Sequence, residues 1–290
     1  MTKQSLLRAM GSTTGFEVDR FHNKLVVSAI DDNSSKTDAI TAEHITKYYD
    51  SRHIINDVSL RIRSGSFTSF IGPSGCGKST LLRMLANLET PSSGEIKWWG
   101  VDKKIIGSPG RRISMVFQEP TLMPWATVLQ NVALPLQLQG VSRNGTEEAV
   151  IRALELVRLQ NTAALYPRQL SGGMKMRVSI ARALVTNPNI LVMDEPFGAL
   201  DEITRNQLNE DVLRLQYELD MTVIFVTHSI QEAVFVSSEL VILRGNPGSI
   251  AASFTIDKPA ELWNLSDEYR ISDHYFTMIK EVTQAFKKAY

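Results

Sequence analysis

The chain has 290 residues, of which 43% are hydrophobic and 21% are charged, and its formal net charge is zero. A balanced charge argues against a nucleic-acid partner, because such proteins usually carry a basic excess. The single cysteine, Cys76, excludes an intrachain disulfide. No apolar run approaches the roughly 18–20 residues of a membrane-spanning helix, so we expect any membrane contact to be made through a partner.

Residues 1–38 are predicted to form an N-terminal extension that ends in a flexible polar linker, Asp31–Asp38. The first residues lack the continuous apolar core of a signal peptide. Their basic, Ser/Thr-bearing composition leaves an organelle transit peptide as an alternative, which the nearby acids Glu17 and Asp19 disfavour. We expect a main domain over residues 39–255 and a helical tail over residues 256–290.

The main domain is predicted to open with two antiparallel strands, because apolar and polar residues alternate over Ile40–Tyr49 and Ile54–Arg63. An apolar strand, Phe67–Ile71, then precedes a glycine-rich loop and a helix from Ser79. That helix is expected to carry on one face Leu81, Leu82, Leu85 and Leu88. Further strands are expected at Glu95–Trp99, Ile113–Phe117, Ile190–Asp194, Thr222–Thr227 and Leu240–Leu243.

Residues 120–187 change character and predict a helical subdomain inserted between strands of the sheet. Thr146 is expected to cap one helix, and a second is expected to begin at Ser171. The first helix would have an apolar stripe formed by Val150, Ile151, Leu154 and Val157. Outside this insertion, strands alternate with helices, which predicts an α/β fold with a mainly parallel sheet.

A phosphate-binding loop is predicted between the strand Phe67–Ile71 and the helix that follows it. Its sequence, GPSGCGKS, fits the pattern G-x-x-x-x-G-K-[ST], in which backbone N–H groups converge on phosphate oxygens. Lys78 would reach the β- and γ-phosphates, and the Ser79 hydroxyl would bind Mg²⁺. The flanking strand and helix disfavour a chance Gly/Ser turn. The predicted ATP-binding residues are therefore Gly72, Pro73, Ser74, Gly75, Cys76, Gly77, Lys78, Ser79 and Thr80.

Two acids follow four apolar residues in the segment Ile190–Glu195. A strand buried in a parallel sheet delivers its last residue to the carboxyl edge, where ligands bind. Asp194 is therefore predicted to hold Mg²⁺, and Glu195 to polarise the attacking water. Two solvated acids at an exposed strand end are the alternative, which the phosphate loop disfavours.

These features, together with Leu170–Met174 (LSGGM), resemble the ATP-binding subunits of ABC transporters, in which that motif is the signature. The resemblance covers about residues 39–250 and implies a P-loop NTPase fold with an antiparallel β arm. It implies that Gln118 contacts Mg²⁺ and the attacking water, and that His228 is the switch histidine. It also implies that Asp201 belongs to the D-loop and that Tyr49 stacks on adenine, with Tyr48 as the competing platform.

The resemblance implies that two copies work face to face. Ser171 would begin a helix, so its hydroxyl and the N–H groups of Gly172 and Gly173 form an anion site. In the family this site contacts the γ-phosphate bound by the other copy. Catalytic roles are thereby implied for Lys78, Gln118, Glu195 and His228, with ATP and Mg²⁺ as the ligands.

Met174 at the end of the signature and the segment QEPTLMPW after Gln118 resemble importers of nitrate, sulfonates and taurine. The resemblance implies a peripheral subunit on the cytoplasmic face of the inner membrane. It also implies two permease subunits and an extracytoplasmic solute-binding protein. An exporter ATPase and a non-transport ABC protein are the alternatives. The chain shows neither a fused membrane region nor tandem ATPase units nor a long coiled coil, which disfavours them.

The permease contact is predicted at Glu119–Trp125 with neighbouring residues of the helical subdomain. Pro120 and Pro124 favour a stiff loop over a helix. Leu122, Met123 and Trp125 would give it an apolar surface suited to a permease helix. The alternative is that these side chains belong to the core of the subdomain.

Overall fold

The computed structural model describes residues 38–290 except 102, 104, 105, 109, 260 and 261. The extension and linker predicted for the N-terminus lie, apart from residue 38, outside the described residues. Two sheets and eight α-helices make up the described part of the chain. The mixed α/β fold that the sequence predicts is confirmed.

The first sheet is an antiparallel arm of three strands, in the order β2-β1-β4. Its strands are β1 (Asp38–Tyr49), β2 (Arg52–Arg63) and β4 (Ser93–Trp98). Apolar residues of β1 and β2 point to one side and bury Ile40, Ile45 and Ile55 completely. The alternation of apolar and polar residues that predicted these strands therefore corresponds to buried and exposed positions in the arm.

The second sheet has six strands in the order β5-β6-β7-β3-β8-β9, and β9 alone among them runs antiparallel to its neighbour. These strands are β3 (Phe67–Ile71), β5 (Ile113–Val116), β6 (Ile190–Asp194), β7 (Thr222–Val226), β8 (Glu239–Arg244) and β9 (Ser249–Thr255). Every residue of β3 and β7 is buried, as expected for parallel strands covered on both faces. The carboxyl ends of the neighbouring strands β6, β7 and β3 lie together, and the site is built there. The sequence did not predict β9.

Three helices lie between β5 and β6 in the chain: α2 (Val128–Leu138), α3 (Arg143–Leu156) and α4 (Gly172–Leu184). They pack on one another through buried residues such as Val132, Leu154 and Ile180. The other helices are α1 (Lys78–Leu85), α5 (Glu202–Glu218), α6 (Ile230–Val236), α7 (Ser266–Arg270) and α8 (Asp273–Ala289).

Two predicted helix ends are wrong. Helix α1 ends at Leu85 because Asn87 adopts a left-handed conformation, with φ of 56°. The N–H groups of Asn87 and Leu88 then donate to the carbonyls of Met84 and Arg83, which closes the helix. Leu88 therefore lies beyond the helix and is 62% exposed.

The cap of α3 is Ser142 rather than Thr146. Thr146 lies one turn inside the helix, and its hydroxyl donates to the carbonyl oxygen of Ser142 over 3.0 Å. Ile151, which was placed on the apolar stripe, is 46% exposed. The buried stripe is narrower and includes Val150, Leu154 and Val157.

The C-terminal helix α8 packs against α6 and β9. Val282 is completely buried, and Ile279 and Phe286 pack against the main core, so the apolar face of this helix lies inward. The Tyr275 hydroxyl donates to the carbonyl of Gln231 over 3.0 Å, which ties this helix to the start of α6. Within the described part of the chain, no helix is long and apolar enough to span a membrane.

Candidate nucleotide-binding site

The loop between β3 and α1 is shaped by glycines with positive φ and closed by a lysine. Gly75 and Gly77 have φ of 80° and 93°, a region that other residues rarely adopt. A Cβ atom on Gly77 would stand 2.6 Å from Ile55 Cδ1, so a larger residue is also excluded by packing. The buried Lys78 ammonium donates to the carbonyls of Gly72 and Pro73 over 2.9 and 3.0 Å. The positive charge is therefore held inside the loop, where a phosphate would meet it.

Cys76 turns its side chain away from the loop opening. The residue is 1% exposed, and a Cβ atom on Gly72 would stand 2.7 Å from its Sγ. Burial raises the pKa of the Cys76 thiol. Cys76 can therefore contribute to a phosphate site only through its backbone.

Ser79 and Asp194 meet at the carboxyl edge of the sheet. The Ser79 hydroxyl donates to Asp194 Oδ1 over 3.0 Å. Burial of Asp194 raises the pKa of its carboxyl group. A hydroxyl and a carboxylate at this distance form the hard oxygen set that Mg²⁺ prefers, so the residues fit this ion. Gln118, which follows β5, is exposed.

Glu195 lies between two basic side chains. Its Oε1 is 3.7 Å from Lys78 Nζ, and its Oε2 is 3.4 Å from His228 Nδ1. Its φ is 45°, a left-handed conformation that is strained for a non-glycine residue. The backbone therefore turns sharply after β6 and directs this carboxylate toward the phosphate loop.

The two tyrosines at the end of β1 have different neighbours. The Tyr48 ring stacks on His53, with ring centroids 4.3 Å apart and planes inclined by 13°. The Tyr49 hydroxyl donates to Glu89, and Lys47 Nζ lies 4.9 Å from the centre of the Tyr49 ring. Lys47 also pairs with Glu89 at 2.8 Å and lowers the pKa of that carboxyl group. Glu89 was not predicted, because it lies 40 residues from Tyr49 in a loop without a motif.

Ser171 and Asp201 each cap a helix. Ser171 Oγ accepts from the Met174 N–H over 3.3 Å at the start of α4. Asp201 Oδ1 accepts from the Thr204 N–H over 2.9 Å at the start of α5, and this hydrogen bond lowers the pKa of Asp201. A Cβ atom on Gly173 would stand 2.6 Å from Thr204 Cγ2, so the two helix starts touch.

Most of the predicted site residues therefore fall into two groups, and Tyr49 and Gln118 lie outside both. The phosphate-loop group comprises residues 72–80 with Asp194, Glu195 and His228. The signature group comprises residues 171–173 with Asp201. Across the described residues, no hydrogen bond or ion pair joins Ser171 to the phosphate-loop group.

The segment after Gln118 is held from two sides. The Arg182 guanidinium of α4 donates to the carbonyls of Pro120 and Thr121 over 2.7 and 2.9 Å. Thr121 has φ of 45°, which is strained for a β-branched residue. The fully buried Asn131 accepts from the Met123 N–H over 2.7 Å. Sequence patterns missed both anchors, since each bonds backbone groups, which leave no mark in the side-chain pattern, and Arg182 lies about 60 residues from its partners.

Leu122 and Trp125 differ in burial: one side chain packs into the core and the other lies on the loop surface. Leu122 is partly buried and packs against the main core. Trp125 is 76% exposed. The core alternative thus applies to Leu122 and does not apply to Trp125.

Three features define a phosphate-loop nucleotide-binding domain. They are the glycine-rich loop after β3, the parallel sheet with its site at the carboxyl edge, and the Ser79–Asp194 pair. A family model described as ABC transporter matches residues 55–198. The chain is 42% identical over 207 residues to a nitrate import ATP-binding protein, NrtD, of Synechocystis sp.; the match covers 71% of this chain and 77% of the relative. It is 41% identical over 248 residues to a taurine import ATP-binding protein, TauB, of Chromobacterium violaceum, covering 84% and 93% of the two chains.

The solved structures point to the same family. The ABC transporter cassette MJ0796, described as a dimeric structure, aligns with a TM-score of 0.66 and 32% identity, covering 76% of this chain and all of that one. A second structure of MJ0796, described as a post-hydrolysis state bound to ADP and Pi, aligns with a TM-score of 0.65. The chain belongs to the ABC transporter family as an ATP-binding and ATP-hydrolysing protein. The resemblance predicted from the sequence motifs is confirmed.

Proposed function

We propose that this chain is the ATPase subunit of an importer for a small polar or anionic solute, such as nitrate, a sulfonate or taurine. Two copies would act at the cytoplasmic face of the inner membrane on two permease subunits, with an extracytoplasmic solute-binding protein. The observation that carries the proposal is the line Lys78–Glu195–His228 beside the Ser79–Asp194 pair. The names of the relatives NrtD and TauB support import.

The phosphate-loop group supplies binding and general-base chemistry. Backbone N–H groups of residues 72–80 and the Lys78 ammonium would bind the β- and γ-phosphates. Glu195 is directed at the loop and would orient the attacking water and accept its proton. His228 would hold Glu195 and stabilise the charge that develops on the phosphate. When bound to Ser79, Asp194 and Gln118, Mg²⁺ would neutralise phosphate charge.

The signature group supplies the second half of the site in trans. The Ser171 hydroxyl and the start of α4 are exposed and carry the positive end of a helix dipole. Asp201 lies beside them at the start of α5. Because, among the described residues, no hydrogen bond or ion pair joins Ser171 to the phosphate-loop group, we propose that the signature group meets the nucleotide of the other copy. Tyr49 would stack on adenine, which the stacking of Tyr48 on His53 supports.

The permease would dock on Trp125. This ring is 76% exposed on a segment whose backbone is fixed by Arg182 and Asn131. An exposed tryptophan on a rigid loop is the type of anchor found at the centre of protein interfaces. Gln118 lies directly upstream, so the same segment would connect the permease with the nucleotide.

Trp125→Ala, Leu122→Asp and Ile151→Ala would be compared in the isolated subunit and in the assembled transporter. Trp125→Ala should keep the thermal midpoint and basal ATPase of the isolated subunit and lose at least about tenfold in permease co-purification, since hot-spot truncation removes about 2 kcal/mol or more. Leu122→Asp should lower the thermal midpoint, because it places a charge against the core.

Ile151→Ala is the matched control, because this residue of α3 is also an exposed apolar side chain. It should change neither property. Wild-type transport by Trp125→Ala would contradict the docking surface. Uptake of labelled nitrate and labelled taurine by cells containing the complete transporter would test the solute class.

A further inference from the structure

Glu232 is a buried carboxylate that the hydrolysis steps above do not use. It lies in α6, four residues after His228, and is 8% exposed. A buried carboxylate is costly unless it is well hydrogen-bonded, and such groups are weak contributors to stability. Burial raises the pKa of Glu232. The partners of the Glu232 carboxylate inside the protein therefore indicate what this side chain does.

The sequence pattern predicts a different role for this side chain from the one it has. Ser229 begins α6 and is followed three residues later by Glu232, the spacing of a capping box. Ser229 Oγ does accept from the Glu232 N–H over 3.2 Å. The reciprocal position is taken by Thr227, whose Oγ1 accepts from the Ser229 N–H over 3.1 Å. The Glu232 carboxylate is thus available for other partners.

One partner of the carboxylate, Thr227, directly precedes His228, and Ser229, which accepts from the Glu232 N–H, directly follows it. The Thr227 hydroxyl donates to Glu232 Oε2. The Thr227 N–H also donates to the carbonyl of Phe70 over 3.2 Å, at the end of β3. Thr227 and Ser229 flank His228 in the chain, and both belong to this hydrogen-bond network. The backbone that carries the His228 imidazole is therefore fixed through Glu232.

The other oxygen of Glu232 connects the network to α5. Asn209 Nδ2, from the middle of that helix, donates to Glu232 Oε1 over 3.2 Å. Arg205, one turn before Asn209 in the same helix, donates through Nη2 to the carbonyl of Leu200 over 2.7 Å. Leu200 precedes Asp201, the cap of α5. The same helix thus contacts the Leu200–Asp201 segment at its start and Glu232 at its centre.

We propose that Glu232 is a positioning residue that sets His228 through Thr227. Through Asn209 and helix α5, it would also make the position of His228 depend on the Leu200–Asp201 segment. The inference rests on the proposed role of His228 in hydrolysis. Because Leu200–Asp201 lies next to the exposed signature group, contact with the second copy at this segment would reach His228 within one chain. Contact between the copies would then act on the pair formed by His228 and Glu195, whose Nδ1 and Oε2 atoms lie 3.4 Å apart.

Thr227→Val and Thr227→Ser form a matched pair, since valine keeps the shape of threonine and serine keeps the hydroxyl. In purified full-length protein, Thr227→Val should lower kcat about tenfold, the lower part of the range for a misplaced catalytic group, with KM for ATP within about twofold of wild type. Thr227→Ser should retain kcat within about twofold. Asn209→Ala should lower kcat about threefold at unchanged KM, because one of the two hydrogen bonds on Glu232 is lost.

A purely structural role would lower the thermal midpoint and ATP affinity together, and serine would not rescue kcat selectively. That result, or wild-type kcat in Thr227→Val, would overturn the inference. If Thr227→Val does not fold, Asn209→Ala decides the matter, and an unchanged kcat in that variant overturns the link to α5. The His228→Ala variant separates the two proposals. If its kcat equals that of wild type, the role proposed for His228 fails. If kcat is lost in His228→Ala but unchanged in Thr227→Val, only the positioning role of Glu232 is refuted.

Discussion

The phosphate-loop group and the signature group differ in how much of their geometry one chain supplies. In the first, five polar side chains already make contacts: Lys78 and His228 lie on either side of Glu195, and Ser79 bonds Asp194. In the second, among the residues that the structure describes, the side chains of Ser171 and Asp201 make only the hydrogen bonds that cap their own helices. The first group is assembled within the fold, whereas the second is presented to the outside.

This difference suggests that hydrolysis is controlled by whether the signature group of one copy reaches the phosphate-loop group of the other. Preorganised groups need little rearrangement during the reaction, so under the proposed function the phosphate-loop group would bind nucleotide in a single chain. Under the same proposal, the exposed helix start of the signature group would contribute only when the other copy brings a phosphate to it. Substitutions in the first group should therefore act within one chain, and substitutions in the second should act on the other copy.

The largest effect is expected for Glu195→Gln in the preorganised group. The amide keeps the shape of the side chain but cannot accept the proton of water, so steady-state ATPase should fall at least about 100-fold while ATP affinity is retained. With ATP this variant should elute as a dimer in size-exclusion chromatography, and without ATP as a monomer. Turnover within about threefold of wild type would show that Glu195 is not the catalytic carboxylate.

A mixture of Lys78→Ala and Ser171→Arg chains tests the division between the groups directly. Lys78→Ala removes the charge contact to phosphate and should weaken ATP binding about tenfold or more. Each variant alone should be nearly inactive. In a mixed dimer one composite site is intact and the other has both defects, so ATPase should recover to roughly a quarter of the wild-type rate if pairing is random.

A mixture of Lys78→Ala and Glu195→Gln chains is the control, since both changes lie in the same group. Their mixed dimers contain one defect in each composite site and should not recover. Recovery in neither mixture, with no ATP-dependent dimer under any condition, would contradict a site shared between copies.

The smallest effect on ATPase activity is expected for Cys76, whose side chain is buried within the phosphate-loop group. A thiol reagent should inhibit ATPase slowly, because Sγ is buried, and bound ATP should slow it further. Burial raises the pKa of the thiol, so less thiolate exists at neutral pH and the modification rate should still be rising above the ordinary thiol range. Cys76→Ala should remain active and resist the reagent; inhibition of that variant at an equal rate would place the reaction elsewhere.

Sequence patterns predicted the fold wherever the spacing of apolar residues or a motif corresponded to a strand, helix or loop. The alternation of β1 and β2 and the apolar runs of β3, β6 and β7 corresponded to burial on one or both faces. They failed at helix ends, since the end of α1 depends on the left-handed conformation of Asn87 rather than on hydrophobicity. The edge strand β9 was missed because its residues are only partly buried and show little contrast.

The site residues divide in the same way. The phosphate loop, the acids after β6 and the signature are local motifs, so the sequence alone could name them. Glu232, Arg182 and Asn131 act through backbone carbonyls or distant side chains, and no spacing in the sequence records such contacts. Glu232 shows the limit most clearly, because its spacing from Ser229 matches a pattern whose expected hydrogen bond is made by Thr227 instead.

The two anchors of the Pro120–Trp125 segment have an evolutionary consequence. Arg182 and Asn131 form hydrogen bonds with main-chain atoms, so the backbone conformation of the loop does not depend on the side chain at position 125. An exposed ring on such a frame can be exchanged with little loss of folding free energy, because surface substitutions usually change stability by about 0.5 kcal/mol or less. Under the docking role proposed for Trp125, recognition of a membrane partner would therefore diverge between related transporters faster than the nucleotide chemistry, through changes at a single solvent-facing position.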